Sequence, residues 1–431
     1  MTDINANSIT KQISLTILTA LCISCTTNEK QCNIIGEVRG GNKEALILFK
    51  ASKFPNIETT IPIQDSSFNY TVKFQHPEVY ELVFSDEFYN GTMSVTSFFI
   101  EEGNIKISLK PGTKITDNKV SRHDLNEALT KYDNTMRELF WDRILTYNDS
   151  IKELTKKGAI LSPEATSLIE KLQVTTDDSI RKQLYNEKKY LQNTGRLYTP
   201  TARKYIQTQD SINNQKKLWE FDYMDNNTTL VSYYKFMMDI RETARLCCWQ
   251  EVDIELINKA QITLTRFKKA FPDHPYYTII QNTINGLQTV HEGGRFIDFA
   301  APDINGNKIP LSNLIKNNKF TLLDFWSKWC GPCMNTSKQL IPIYEKYKNE
   351  GFEIVGITQD YDKIDSIESF IRKQNYPWLT IIDKGQKIGV WDKYNLSQQA
   401  GGLFLINASG QIIAVNLSSE KVNQLLEDNF K

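Results

Sequence analysis

The spacing of apolar side chains divides the chain into three stretches of different character. From about Asn33 to Leu109, short apolar runs alternate with turn residues. Ile34 to Val38 opens the series, and Ala45 to Phe49 follows a Gly-Gly-Asn turn. Phe68 to Phe74 alternates apolar and polar positions, the period of a half-buried strand, and Val79 to Phe84 and Ile105 to Leu109 continue the pattern. Short strands at this spacing predict a small antiparallel β-sandwich over 30–115. From about Ser121 to Leu287 the period changes. Leu256, Ala260, Leu264, Phe267 and Phe271 follow one another at steps of four, four, three and four, the stripe of an amphipathic helix. Pro272 and Pro275 break it, and helical spacing resumes from Tyr276 to Leu287. The stretch is rich in Lys, Glu, Gln, Leu and Asn with few Gly or Pro, which predicts an all-α region of four to six helices over 121–290. Trp219 and Tyr223, four apart, and Leu218 and Phe221, three apart, read as helical core neighbours rather than a ligand site.

From Gly293 the pattern changes again, and 293–431 is read as a third domain. Phe299 to Ile304 leads through Asn305-Gly306-Asn307, a hairpin-type turn, to Leu311. A buried strand over Phe320 to Trp326 runs into Cys330-Gly331-Pro332-Cys333, and helical periodicity follows from Ser337 to Asn349. Phe352 to Ile357 and Trp378 to Asp383 read as strands around a helix from Ile364 to Gln374, and Leu403 to Val415 closes the chain as a hairpin about Gly410. Strands alternating with helices predict a mainly parallel sheet covered on both faces.

Composition sharpens this picture by exclusion. Length of 431 residues fits about three domains. With 51 Lys+Arg against 51 Asp+Glu, the chain lacks the excess of positive charge that nucleic-acid binding needs. At 40% hydrophobic and 11% aromatic it is a folded globular chain rather than a disordered one. Seven cysteines are too few for a disulfide-stapled scaffold, so their positions matter more than their number.

The first two cysteines end an apolar run from Ile13 to Ser24, about a dozen residues long, where a membrane-spanning helix needs roughly 20. Lys11 precedes the run, and the chain turns polar at Thr26. Ser24 before Cys25 resembles the cleavage box of a bacterial lipoprotein signal, which implies a signal peptide over 1–24 and lipidation of Cys25; Cys22, after Leu21, is the weaker candidate. Two or more acyl chains on one cysteine suffice for stable anchoring, so the expected location is the periplasmic side of the cell envelope, tethered to a membrane. An uncleaved anchor or a buried first strand is the alternative. Cys247 and Cys248 have no His or Cys at ligand spacing and read as packed thiols, and Cys32, close to the anchor, reads as an unpaired thiol without a role.

Ala301-Pro302-Asp303, Asp324-Phe325-Trp326 and Trp329-Cys330-Gly331-Pro332-Cys333 together resemble the TlpA/ResA-like thioredoxin-family thiol-disulfide oxidoreductases, over about the last 135 residues. The β-rich stretch resembles an uncharacterised domain found ahead of thioredoxin modules in bacterial lipoproteins, read as scaffold or docking surface. The resemblance implies a multidomain chain: an N-terminal antiparallel β-sandwich, a central all-α region and a C-terminal α/β thioredoxin fold. It implies a redox-active disulfide between Cys330 and Cys333 and no other cofactor. Cys330 at a helix start, where free N–H groups and the dipole favour a thiolate, is the expected exposed nucleophile. Cys333, three residues on and expected to be buried, is the resolving thiol. Asp324 matches a buried aspartate that exchanges a proton with the resolving thiol. Trp329 shields the sulfurs and offers a platform to substrate, and Pro332 stiffens the loop with Gly331. Zinc is excluded because no second pair or His completes four ligands.

Two departures from the family are visible. Met334-Asn335-Thr336-Ser337 stands where Glu and Pro are usual, and Gln399-Ala400-Gly401-Gly402 stands where a cis-proline normally faces the sulfurs. In the family that proline holds the substrate backbone; Gly401 and Gly402 are the expected substrate loop here. The Gly-Pro spacer implies a reductase with a potential near about −270 mV, fed by an integral-membrane thiol donor and acting on periplasmic protein disulfides, cytochrome c precursors among them. The alternatives are a non-enzymatic binding or sensory lipoprotein and, from Ala301-Pro302-Asp303, a peroxidase; the Cys-Gly-Pro-Cys turn disfavours the last.

Overall fold

Alternation in β1 (Lys30–Val38) turns Cys32, Ile34 and Val38 inward while Asn33, Ile35 and Glu37 face water. The computed structural model describes residues 29–430 apart from 55, 93, 113–116, 122, 248–251, 329, 360–363, 385–386 and 397–400. The expected signal segment with Cys22 and Cys25, and Cys248, Trp329, Gln399 and Ala400, lie outside the described residues.

β2 (Ala45–Lys50), β3 (Ile57–Pro62), β4 (Ser67–Phe74), β5 (Val79–Phe84), the short α1 (Ser85–Asn90), β6 (Thr96–Phe99), β7 (Gly103–Leu109) and β8 (Lys119–Val120) complete the β-rich region. They form two four-stranded sheets, ordered β4-β1-β7-β8 and β3-β2-β5-β6. Ile34, Phe68, Val72 and Ile105 from the first sheet meet Leu46, Leu48, Tyr80 and Leu82 from the second in one core. The pairing is antiparallel except at one place. β1 and β7 run parallel, Cys32 opposite Gly103, because the chain crosses to the other sheet between them. The central strands β2 and β5 of the second sheet are buried on both faces, which explains the unbroken Leu46 to Phe49 run. Its outer side contributes Ala51, Val79 and Phe99 to the core of the helical region.

That region contains α2 (Asp124–Met136), α3 (Asp142–Lys156), α4 (Pro163–Val174), α5 (Asp178–Asn193), α6 (Pro200–Asn226), α7 (Leu230–Cys247), α8 (Ile254–Ala270) and α9 (Tyr276–Thr289). α2 runs into α3 through a π-helical stretch, Arg137–Trp141, so the described residues hold seven separate helices against the four to six predicted. The additional breaks follow one repeated device. Gly158 and Gly195, at φ of 64° and 68°, stop a helix, and Ser162-Pro163 and Thr199-Pro200 start the next, each hydroxyl accepting a backbone N–H three residues on. In α8 the buried stripe runs through Ile257, Ala260, Leu264 and Phe267, with Leu256 only half-buried. Trp219 stacks on Tyr223 at 5.2 Å and Phe221 is buried, so the aromatic group packs in the core, but Leu218, expected beside Phe221, points to the exposed side of α6.

The C-terminal region comprises a hairpin of β9 (Ala300–Pro302) and β10 (Lys308–Pro310), then α10 (Leu311–Lys316), β11 (Phe320–Trp326), α11 (Gly331–Tyr347), β12 (Phe352–Thr358), α12 (Ile364–Gln374), β13 (Leu379–Ile382), α13 (Val390–Lys393), β14 (Gly402–Asn407), β15 (Ile412–Val415) and α14 (Ser419–Asn429). The sheet order is β13-β12-β11-β14-β15, with β11, β12 and β13 parallel and β14 and β15 antiparallel. The expected parallel sheet is therefore mixed, its closing hairpin supplying the antiparallel half. Helices α11, α12 and α14 cover one face and α10 and α13 the other. No sequence pattern had marked α14, which is capped by Ser418 and anchored by Val422 and Leu426.

The C-terminal sheet is seated on the helices through α9 and α13. A Cβ on Gly286 of α9 would lie 2.6 Å from the Lys393 carbonyl oxygen, so only glycine permits this approach. Among the described residues, no helix is long and apolar enough to cross a membrane.

Candidate active site

β11 carries an almost wholly buried sequence to Trp326, and the chain then turns into α11. Cys330 caps that helix. Its backbone N–H donates to the Ser327 carbonyl at 2.9 Å, and its Sγ accepts the Cys333 N–H at 3.2 Å. Pro332 lies in the first turn, where its missing N–H costs nothing. Cys330 and Cys333 are joined in a disulfide with Cα atoms 5.3 Å apart. A sulfur that receives a backbone N–H at a helix N-terminus is favoured as the anion, which distinguishes Cys330 from Cys333 chemically.

Exposure does not follow the expectation from sequence. Cys330 is buried, 4% exposed, whereas Cys333 is half-buried. The capping position draws Cys330 down against Ser327 at the strand end, while Cys333 is half-buried against the core beneath α11. Attack by Cys330 therefore requires local opening.

Below the disulfide, Asp324 is 1% exposed in the middle of β11, between Gly356 of β12 and Leu403 of β14. Burial pushes its carboxyl up to about 7, against a smaller opposing pull from the Ser337 hydroxyl. Ser337 Oγ donates to Asp324 Oδ2 at 2.6 Å and lies 3.0 Å from the Cys333 carbonyl oxygen. Tyr376 stacks on Trp378, and its hydroxyl donates to the Met334 carbonyl at 3.5 Å. Burial, then the nearby Asp324, push that phenol up to about 12. Ser337 and Tyr376 were not singled out from sequence. Ser337 lies one helical turn after Cys333, and that spacing was the available signal.

Gly402 pairs with Phe325 across β11 and β14, which places Gly401 beside the sulfurs. A Cβ on Gly401 would stand 2.1 Å from the Phe325 carbonyl oxygen and 3.0 Å from Cys333 Sγ. Gly401→Ala should accordingly force the loop away from the disulfide, at a stability cost of about 1–3 kcal/mol. Chemical denaturation measures this, and wild-type stability with wild-type insulin reduction would show that the approach is not required. Among the described residues, no three His, Cys, Asp or Glu side chains converge on a metal-sized site.

A mixed five-stranded sheet with a Cys-Gly-Pro-Cys disulfide at the strand-to-helix turn and a buried carboxyl beneath it defines a thioredoxin-fold oxidoreductase. The AhpC/TSA family model matches residues 293–415, and a domain of unknown function, DUF4369, matches 32–129. The thiol-disulfide oxidoreductase ResA of Bacillus subtilis (strain 168) is 30% identical over 139 residues, covering 32% of this chain and 74% of the relative. ResA of Bacillus thuringiensis (strain Al Hakam) is 29% identical over 156 residues, 36% of this chain and 86% of that one. A solved thiol-disulfide oxidoreductase from Bacteroides fragilis NCTC 9343 shares 26% identity, covering 31% of this chain and 98% of its own, with a TM-score of 0.29. By its C-terminal third, the chain belongs to the ResA family of thiol-disulfide oxidoreductases.

Proposed function

We propose that the chain is a membrane-tethered reductase of protein disulfides on the periplasmic side of the envelope. The observation that carries the redox assignment is the Cys330–Cys333 disulfide at the N-terminus of α11, with Cys330 Sγ accepting a backbone N–H. In the reduced protein the Cys330 thiolate attacks a substrate disulfide, forming a mixed disulfide and releasing one substrate thiol. Cys333 loses its proton, its sulfur displaces the second substrate thiolate from Cys330, and Asp324 serves as the nearby proton acceptor. Two electrons pass to the substrate and the chain ends as the disulfide seen here. A membrane thiol donor must then return two electrons and two protons.

The location rests on the Ser24-Cys25 box and its expected lipid. Gly331 and Pro332 are exposed beside the disulfide, and with the Gly401 backbone they form the edge offered to an extended substrate segment such as a Cys-x-x-Cys-His stretch of a cytochrome c precursor. Chain starting at Thr26 should reduce insulin with a dithiol donor, and its equilibrium potential should fall near about −270 mV. Absence of turnover with any dithiol favours a binding role. A potential above about −150 mV reverses the direction of electron flow.

A further inference from the structure

The Ser337 hydroxyl carries one hydrogen and has two acceptors in reach, Asp324 Oδ2 at 2.6 Å and the Cys333 carbonyl oxygen at 3.0 Å. It cannot serve both at once. An ionised carboxylate takes the hydrogen, because charge-assisted bonds are shorter and roughly twice as strong as neutral ones. A protonated Asp324 instead donates its own hydrogen to Ser337 Oγ, and the serine hydrogen turns to the Cys333 carbonyl.

We propose that Ser337 is a positioning residue for the resolving step, coupling the charge on Asp324 to the backbone of Cys333 by redirecting this single hydrogen. The inference rests on the reading of Cys333 as the resolving thiol. Ser337 is fully buried, so water does not compete for its hydrogen. The groups around Asp324 leave the serine as its main polar partner. β12 and β14 bring Gly356 and Leu403 opposite it, and α11 brings Ser337 and Cys333. The further titratable group is the Tyr376 phenol, which hydrogen-bonds the Ser337 hydroxyl and stays protonated through the neutral range.

The consequence for the reaction is specific. When Cys333 Sγ–H gives its proton to the Asp324 carboxylate, the new acid donates to Ser337 Oγ and the serine donates to Cys333 O. Cys333 Sγ then bonds to Cys330 Sγ, the bond from Cys330 to the substrate sulfur breaks, and the departing thiolate takes a proton from solvent. Proton uptake thus fastens the first turn of α11 as the sulfurs join. While the carboxylate remains charged, the same hydroxyl stabilises it, so removing the hydroxyl raises the Asp324 titration.

The experiment is a ¹³C titration of the Asp324 carboxyl and the Cys333 carbonyl in the full oxidised chain, beside the single-turnover rate of thiolate release from an aromatic disulfide probe. In the wild-type protein the two carbon signals should share one midpoint. Ser337→Ala should raise the carboxyl midpoint by about one pH unit or more and uncouple the carbonyl, and the thiolate-release profile should move with it. In an Asp324→Asn background the same substitution should leave the profile in place. A Cys333 carbonyl that does not follow Asp324 in wild-type protein overturns the proposal even if Ser337→Ala does not fold, as does a profile shift that survives in Asp324→Asn. Coupled carbon signals in a protein unable to reduce insulin or the probe would instead overturn the reductase reading.

Discussion

Cys333→Ser should convert the protein from a turnover catalyst into a trap, holding substrate as a mixed disulfide on Cys330, whereas Cys330→Ser should hold almost none. Steady-state insulin reduction should fall by at least about a thousandfold in both, because the two sulfurs act as one unit. The asymmetry of trapping is the informative part. Cys330 is the more buried of the pair, so a ranking by exposure alone assigns the attack to Cys333. Electrostatics ranks them the other way: Cys330 caps α11 and its sulfur accepts the Cys333 N–H at 3.2 Å. A nucleophile must be a thiolate before it can react, and a helix N-terminus supplies that state, whereas local opening is a modest and reversible cost. Intact-mass analysis after mixing each variant with oxidised insulin reads the adduct directly. Adduct on Cys330→Ser and none on Cys333→Ser would reverse the roles, and with them the mechanism.

The elements around this site were legible in the sequence because each rests on a local pattern. A strand buried on both faces reads as a mostly apolar run, and Phe320 to Trp326 is one, interrupted only by Thr321 and Asp324. Cys-Gly-Pro-Cys marks its own helix start. Other features depend on distant pairing. Nothing near Cys32 announces that β1 runs parallel to β7, since that follows from where the chain returns after some seventy residues. The second sheet hid its covering for a related reason: the Leu46 to Phe49 run shows two buried faces but not that Phe54, Phe88 and Val95 pack over Ile47 and Phe49 on the outer one. Ser337 escaped notice because one serine on a helix is ordinary until Asp324 is placed beside it. The exposure of the two cysteines is not legible in the sequence, because helix position fixes charge preference but not burial.

Arg241→Ala should cost about 3–5 kcal/mol, far more than an exposed arginine, because it would leave the buried Asp392 carboxylate without the guanidinium beside it. Arg241 lies in α7 with its residue 1% exposed, at the meeting point of the three regions. Its Nη1 donates to the Ser52 carbonyl at 3.2 Å in the β-rich region, and Nη2 stands 3.5 Å from Asp392 Oδ1 in α13. Burial pushes up the Glu81 carboxyl of β5, and Ser97, Lys235 and then Arg241 draw it down. One guanidinium therefore answers carboxylates from two different regions. The connection reaches the redox centre by packing, since Trp391, next to Asp392, meets Phe325 of β11 edge-on at 5.1 Å. Arg241→Lys should recover only part of the loss, because a single ammonium cannot span Ser52 and Asp392 as the planar fork does. The check is a double-mutant cycle with Asp392→Asn, followed by chemical denaturation of the whole chain. Strong coupling between the two positions is expected, the Asp392→Asn background absorbing much of the cost of Arg241→Ala. Additive effects, or a loss below about 1 kcal/mol for Arg241→Ala alone, would reduce Arg241 to packing and leave the seating of the thioredoxin module to α9, α13 and Gly286.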